Sequence, residues 1–194
     1  MPNSIRAFVA VKIPGLPAIR TLLQDFRGMG RAVRPVDPDG LHITLKFLGD
    51  VSADSVVDIE QALRADLSPI PAFKTNLTGL GAFPHAGRPS VIWIGAANVE
   101  EFLRLSDAVE DALNPLGFPR ERRPFHPHLT LARIKARPPR ELPTLLEHHA
   151  ETDFGSAAVD HATLFQSELT RSGPRYTVLH KFPLAADHRK ESST

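Results

Sequence analysis

The sequence predicts an α+β fold rather than a doubly wound parallel sheet, and three observations predict it. Strand-like and helix-like runs alternate, yet several of the strands arrive as hairpin-like pairs. The order strand, helix, loop, strand occurs twice, ending first in residues 41–48 and again in 128–134, as a duplicated half-domain would read. The chain has 194 residues, 42% of them hydrophobic and 23% charged, enough to bury one sizeable core and unlike disordered, collagen-like or coiled-coil sequences.

Each element has its own local reason. Arg6 to Ile13 alternates and is rich in Val, Ile and Phe, a strand ended by Pro14. Ile19, Leu22, Leu23 and Phe26 recur at helical spacing, and Gly28 and Gly30 stop that helix. A loop of Pro35, Asp37, Pro38, Asp39 and Gly40 leads into a strand at Leu41 to Leu48, closed by Gly49 and Asp50. Ser52 is placed to cap a helix whose inner face is Val56, Ile59, Ala62, Leu63 and Leu67. Phe73 to Leu80 and Val91 to Ala96 read as two strands, Glu101 to Leu116 as a helix, and His128 to Ile134 as a strand. After Pro138 and Pro139 comes a short helix, Glu141 to His148. Val159 to Leu169 and Tyr176 to Phe182 read as a closing strand pair, and 185–194 as a polar, frayed tail beyond a single domain spanning 1–184.

Composition narrows the function classes. There is no cysteine, so disulfides, thiolate zinc sites and cysteine nucleophiles are excluded and a cytoplasmic location is expected. The apolar stretch Ala7 to Val11 is interrupted by Lys12 and Pro14, too short for a signal or membrane segment. The net charge is only +1, but Arg120, Arg122, Arg123, Arg133, Lys135, Arg137 and Arg140 are opposed within their segment by Glu121 alone. That segment is an RNA-backbone track or a solvated loop.

His42-Ile43-Thr44-Leu45 and His128-Leu129-Thr130-Leu131 repeat one pattern on two predicted strands about 86 residues apart. With a strand period of two, His and Thr share one face while the aliphatic residues take the other. Two imidazoles and two hydroxyls converging on a groove suit cleavage of a phosphodiester without metal. A neutral His deprotonates water, a protonated His serves the departing alkoxide, and the Thr hydroxyls hold the non-bridging oxygens. A third copy, His161-Ala162-Thr163-Leu164, lies mid-strand without a preceding Gly- or Pro-bearing basic loop and is read as structural. His126-Pro127-His128 has a metallohydrolase-like spacing, but further ligands do not follow it, so no metal is expected. By odd spacing from His128, Arg133 is expected on the opposite strand face unless the strand twists or ends. Arg123 and Arg133 are expected to lower the pKa of His128, and Asp37, Asp39 and Asp50 to keep His42 protonated.

These residues make the chain resemble the 2H phosphoesterase superfamily, within it the RNA 2′,3′-cyclic phosphodiesterases historically called 2′-5′ RNA ligases. The resemblance spans Arg6 to Val11, His42 to Gly49, Gly81 to Pro84, Val91 to Gly95, Phe125 to Arg133, Leu164 to Leu169 and Gly173 to Tyr176. It implies a bilobed α+β domain, two pseudo-symmetric antiparallel-sheet lobes with helices outside and the motifs facing across a central cleft. It implies His42 as proton donor and His128 as proton acceptor, with Thr44 and Thr130 as phosphate ligands. Arg123 and Arg133 are candidate RNA contacts. The expected enzyme is a monomer without cofactor, metal or membrane partner, opening 2′,3′-cyclic phosphates at RNA ends to 2′-phosphates. The alternatives are a phosphodiesterase for small cyclic nucleotides or ADP-ribose cyclic phosphate, and a non-catalytic RNA-binding module.

Overall fold

The computed structural model describes residues 4–170 and 173–186. The elements in chain order are β1 (Ser4–Lys12), α1 (Pro17–Gly28), β2 (Val33–Pro35), β3 (His42–Ser52), α2 (Val56–Leu67), β4 (Phe73–Phe83) and β5 (Val91–Ala96). They continue with α3 (Val99–Leu113), β6 (His128–Ile134), α4 (Leu142–His148), β7 (Asp153–Val159), β8 (His161–Thr170) and β9 (Gly173–Pro183). The strands form two antiparallel sheets, β3-β1-β8-β9 and β2-β6-β5-β4-β7. The first is built from the two ends of the chain and the second mostly from its middle.

The helices interlock these sheets. α1, which precedes the first motif strand, packs on β2, β6 and β7 of the second sheet; α3, which precedes the second motif strand, packs on β3 of the first. Each helix is seated by an apolar stripe the sequence already carries, Ile19, Leu22, Leu23 and Phe26 on α1 and Phe102, Leu105, Val109 and Leu113 on α3, all buried. α2 joins α3 over the first sheet and α4 lies against β4. One continuous core of buried residues therefore runs through both lobes.

Several elements differ from expectation. β3 continues past Gly49 to Ser52, because Gly49 takes φ +73° and still pairs with Ala7. The single strand expected over 159–169 is two strands that part at Asp160 and join different sheets. β7 is rich in Gly, Ser and Ala, poor strand formers by propensity; it is a strand because β4 pairs with it and Phe154, Ala157 and Val159 reach the core. β2, with Pro35, is a three-residue edge strand. Ser52 caps the 3-10 turn Ala53–Ser55 through the Ser55 N–H rather than α2 itself. At the C-terminus Ala185 bridges Pro71, and the rest of the expected tail, 187–194, lies outside the described residues.

Candidate active site

β3 is the edge of the first sheet, β6 lies one strand in from the edge of the second, and the two are in contact across the cleft. On each, His and Thr are half-buried while the residues between them, Ile43, Leu45, Leu129 and Leu131, are buried. The alternation expected of the motifs is thus present in both.

The two imidazoles are held by the same device. Nδ1 of His42 lies 2.7 Å from the Gly40 carbonyl, and Nδ1 of His128 lies 2.7 Å from the His126 carbonyl. A carbonyl only accepts, so in each ring Nδ1 donates and Nε2 keeps its lone pair when the ring is neutral. The sequence prepares each carbonyl. The turn Pro38–Gly40 is closed by the Asp37 carboxylate accepting from the Asp39 N–H, and Pro127 makes the step before His128. His126 therefore serves through its backbone.

Aromatic rings flank both histidines. His42 sits 5.0 Å from Phe8 and 5.0 Å, edge-on, from Tyr176; His128 sits 5.0 Å, edge-on, from Phe83, with Trp93 beyond. The Trp93 indole lies over Gly81, where a Cβ would stand 2.2 Å from the ring. Burial lowers the pKa of both histidines below the usual imidazole value. The carbonyl bonds oppose that shift. His42 is lowered further by the positive charges of Arg133 and His128. This differs from expectation: Arg133 acts on His42, and Asp39 faces Arg20 at 3.6 Å.

Arg133 reaches His42 because each motif strand carries a bulge directly after its Thr. In β3, Thr44 pairs with Ala10 and Lys46 with Val9, leaving Leu45 extra; in β6, Thr130 pairs with Trp93 and Ala132 with Ile92, leaving Leu131 extra. Two consecutive residues then point inward, Leu45 with Lys46 and Leu131 with Ala132, all buried. The fifth residue after each His returns to the face of the His: Arg133 on β6 and Phe47, 66% exposed, on β3. Parity alone put Arg133 on the wrong face.

Arg123 stands exposed on the loop between α3 and β6, its charge acting on Glu121. Thr163 of the third motif copy is 1% exposed, and the His161 Nδ1 is engaged by the Asp160 carboxylate. Sequence reasoning missed Phe8, Phe165 and Tyr176, whose rings cluster on the cleft face of the first sheet. The alternation expected over Arg6 to Ile13 is absent: Ala7 to Val11 is apolar and buried at every position, and that unbroken run was the available signal, since a strand covered on both faces loses its alternation.

Two facing strands, each offering a histidine and a threonine to one cleft, with the positive charge of Arg133 acting on His42, form a site whose groups suit a phosphate ester. The chain belongs to the 2′-5′ RNA ligase superfamily, whose family model matches residues 16–171. An RNA 2′,3′-cyclic phosphodiesterase of Aeropyrum pernix is 40% identical over 164 residues, 82% of this chain and 91% of the relative. One from Archaeoglobus fulgidus is 37% identical over 180 residues, 92% of this chain and 99% of the relative. Among solved structures, a Thermus thermophilus protein aligns with TM-score 0.78 at 34% identity, covering 95% of this chain and all of that one. Escherichia coli LigT complexed with 3′-AMP aligns with TM-score 0.71 at 26% identity, covering 93% and 98%.

Proposed function

We propose that the protein hydrolyses the 2′,3′-cyclic phosphate at an RNA 3′ end to a 2′-phosphate, using its histidines and no metal. The observation that carries this reading is the matched pair of imidazoles, each tethered at Nδ1 and free at Nε2. His128 Nε2 takes a proton from water as the water oxygen bonds to phosphorus. The P–O3′ bond breaks, and His42 Nε2–H protonates the departing O3′. The products are a 2′-phosphomonoester and a free 3′-hydroxyl. Thr44, Thr130 and Arg133 hold the non-bridging oxygens, where negative charge grows.

Burial favours the neutral form of both imidazoles, and a phosphate anion beside them favours the imidazolium, so substrate binding supplies the acid with its proton. The donor and acceptor roles of His42 and His128 rest on the family resemblance. Exposed Phe47, in ring contact with Phe8, offers a stacking face for the terminal base. One chain supplies both motifs, which supports a monomeric enzyme. No described helix is long and apolar enough to cross a membrane, and a chain without cysteine suits the cytoplasm.

Turnover of a cyclic-phosphate-ended oligonucleotide is compared with 2′,3′-cyclic mononucleotides and ADP-ribose cyclic phosphate. Preference for the oligonucleotide is expected; preference for a small substrate selects the other phosphodiesterase reading, and binding without turnover leaves an RNA-binding module. The activity is expected to survive exhaustive chelation. Loss in chelator with recovery in zinc or manganese overturns the metal-free mechanism.

A further inference from the structure

Lys46 follows the first motif and is turned inward by the bulge, and it meets a carboxylate there. Its side chain is 6% exposed and that of Glu110, from α3, 8%. The Lys46 ammonium donates to Glu110 Oε2 and, at 2.8 Å, to the Pro119 carbonyl; Glu110 Oε1 accepts from the Glu121 N–H at 3.4 Å. One ion pair thus joins β3 and α3 and grips the loop between α3 and β6 at two backbone points. The same loop is braced elsewhere. The Arg120 guanidinium pairs with Asp107 and Asp111 on α3, and the Glu121 carboxylate accepts from the N–H groups of Arg122 and Arg123 at 2.9 and 3.2 Å. Phe118 and Phe125 pack against the core at either end.

Burying an ion pair costs desolvation that an apolar pair of similar volume avoids. The equivalent position after the second motif is Ala132, fully buried, so the bulge accepts an apolar side chain. What the pair does accomplish is to fix the backbone from which Arg122 and Arg123 project. Both are exposed, make no ion pair among the described residues, and stand six and five residues before His128.

We infer that the buried Lys46–Glu110 pair is a positioning device that holds residues 119–123 so that Arg122 and Arg123 engage RNA phosphates upstream of the cyclic end. It thereby sets the preference for a polynucleotide over a mononucleotide. This rests on the hydrolase reading above. The cyclic phosphate itself is served by the motifs and Arg133, which the pair does not touch, so a mononucleotide gains nothing from the loop.

The test compares kcat/KM for a cyclic-phosphate-ended oligonucleotide and for a 2′,3′-cyclic mononucleotide, in wild type and in Lys46→Met/Glu110→Leu, with thermal unfolding of both proteins. The double variant removes both buried charges at similar volume, so its melting temperature is expected to hold. The oligonucleotide-to-mononucleotide ratio is expected to fall about tenfold. The salt dependence of oligonucleotide KM should flatten by roughly 0.7 in log–log slope for each phosphate of the single strand that the loop no longer engages. Arg122→Ala/Arg123→Ala should lower the ratio alike and add nothing in the Lys46→Met/Glu110→Leu background. An unchanged ratio, or an equal loss for both substrates, overturns the inference. Should Lys46→Met/Glu110→Leu fail to fold, an unchanged ratio in Arg122→Ala/Arg123→Ala overturns it alone. Wild type inert toward both substrates sinks the hydrolase reading instead.

Discussion

A hydrogen bond at one ring nitrogen of a histidine fixes its tautomer and aims the other nitrogen, and here a backbone carbonyl two residues upstream accepts from Nδ1 of both His42 and His128. General acid or base terms are worth about a hundredfold to ten-thousandfold each, so His42→Ala and His128→Ala are each expected to lose activity on that scale. His161→Ala is expected to retain most of it, because its neighbour Thr163 is buried and its own Nδ1 faces Asp160. Steady-state rates on a cyclic-phosphate oligonucleotide decide this; equal damage at His161 in a folded protein makes the choice of copies wrong. A substrate with sulfur in place of O3′ separates the roles, since a thiolate leaves without a proton. His42→Ala should recover much of its lost rate on it and His128→Ala should not. The opposite pattern reverses the assignment.

At the scale of elements, the bulges decide which side chains the motifs bring with them. Arg133 meets the cleft only because Leu131 is extra in the pairing of β6 with β5. A hydrogen bond from a charged donor is worth about 1.5–3 kcal/mol, so Arg133→Ala should reduce kcat/KM by roughly tenfold to a hundredfold or more. Arg133→Lys should recover part, having charge without the bidentate fork. Phe47→Ala should raise KM by about tenfold, as loss of one base stack of about 1–3 kcal/mol implies. A KM unaltered in Phe47→Ala removes Phe47 from the base site. Both positions follow their His by five, but the motif letters do not reveal a bulge. It depends on how β1 and β5 pair alongside, which involves residues far away in sequence.

For the whole molecule, the shared cleft ties stability to pH. Burial holds the folded-state pKa values of His42 and His128 below the unfolded value of about 6.5, so in the window below that value the unfolded chain binds more protons. Stability contributed by these groups is therefore full above about pH 6.5 and lost as pH falls through that window. The urea midpoint should drop between about pH 7.5 and about pH 5.5, and drop less in His42→Asn/His128→Asn. An equal drop in both proteins locates the acid sensitivity elsewhere.

The paired motifs, their alternation, four helices with their apolar stripes and most of the strands were legible in the sequence, because periodicity and turn residues act over a few neighbours. β7 was not legible, since Gly155, Ser156, Ala157 and Ala158 form a strand only where β4 offers a partner. Nor were the exchange of α1 and α3 between sheets, the approach of Arg133 to His42, or the Lys46–Glu110 pair, whose partners are 64 residues apart. Local sequence determined that the His-x-Thr motif recurs at 42–44 and 128–130 and that both copies stand on strands. Which side chains meet was decided by tertiary pairing, because strand register and burial are settled by the whole set of long-range contacts, and a single extra residue in one pair reverses the face of every side chain after it.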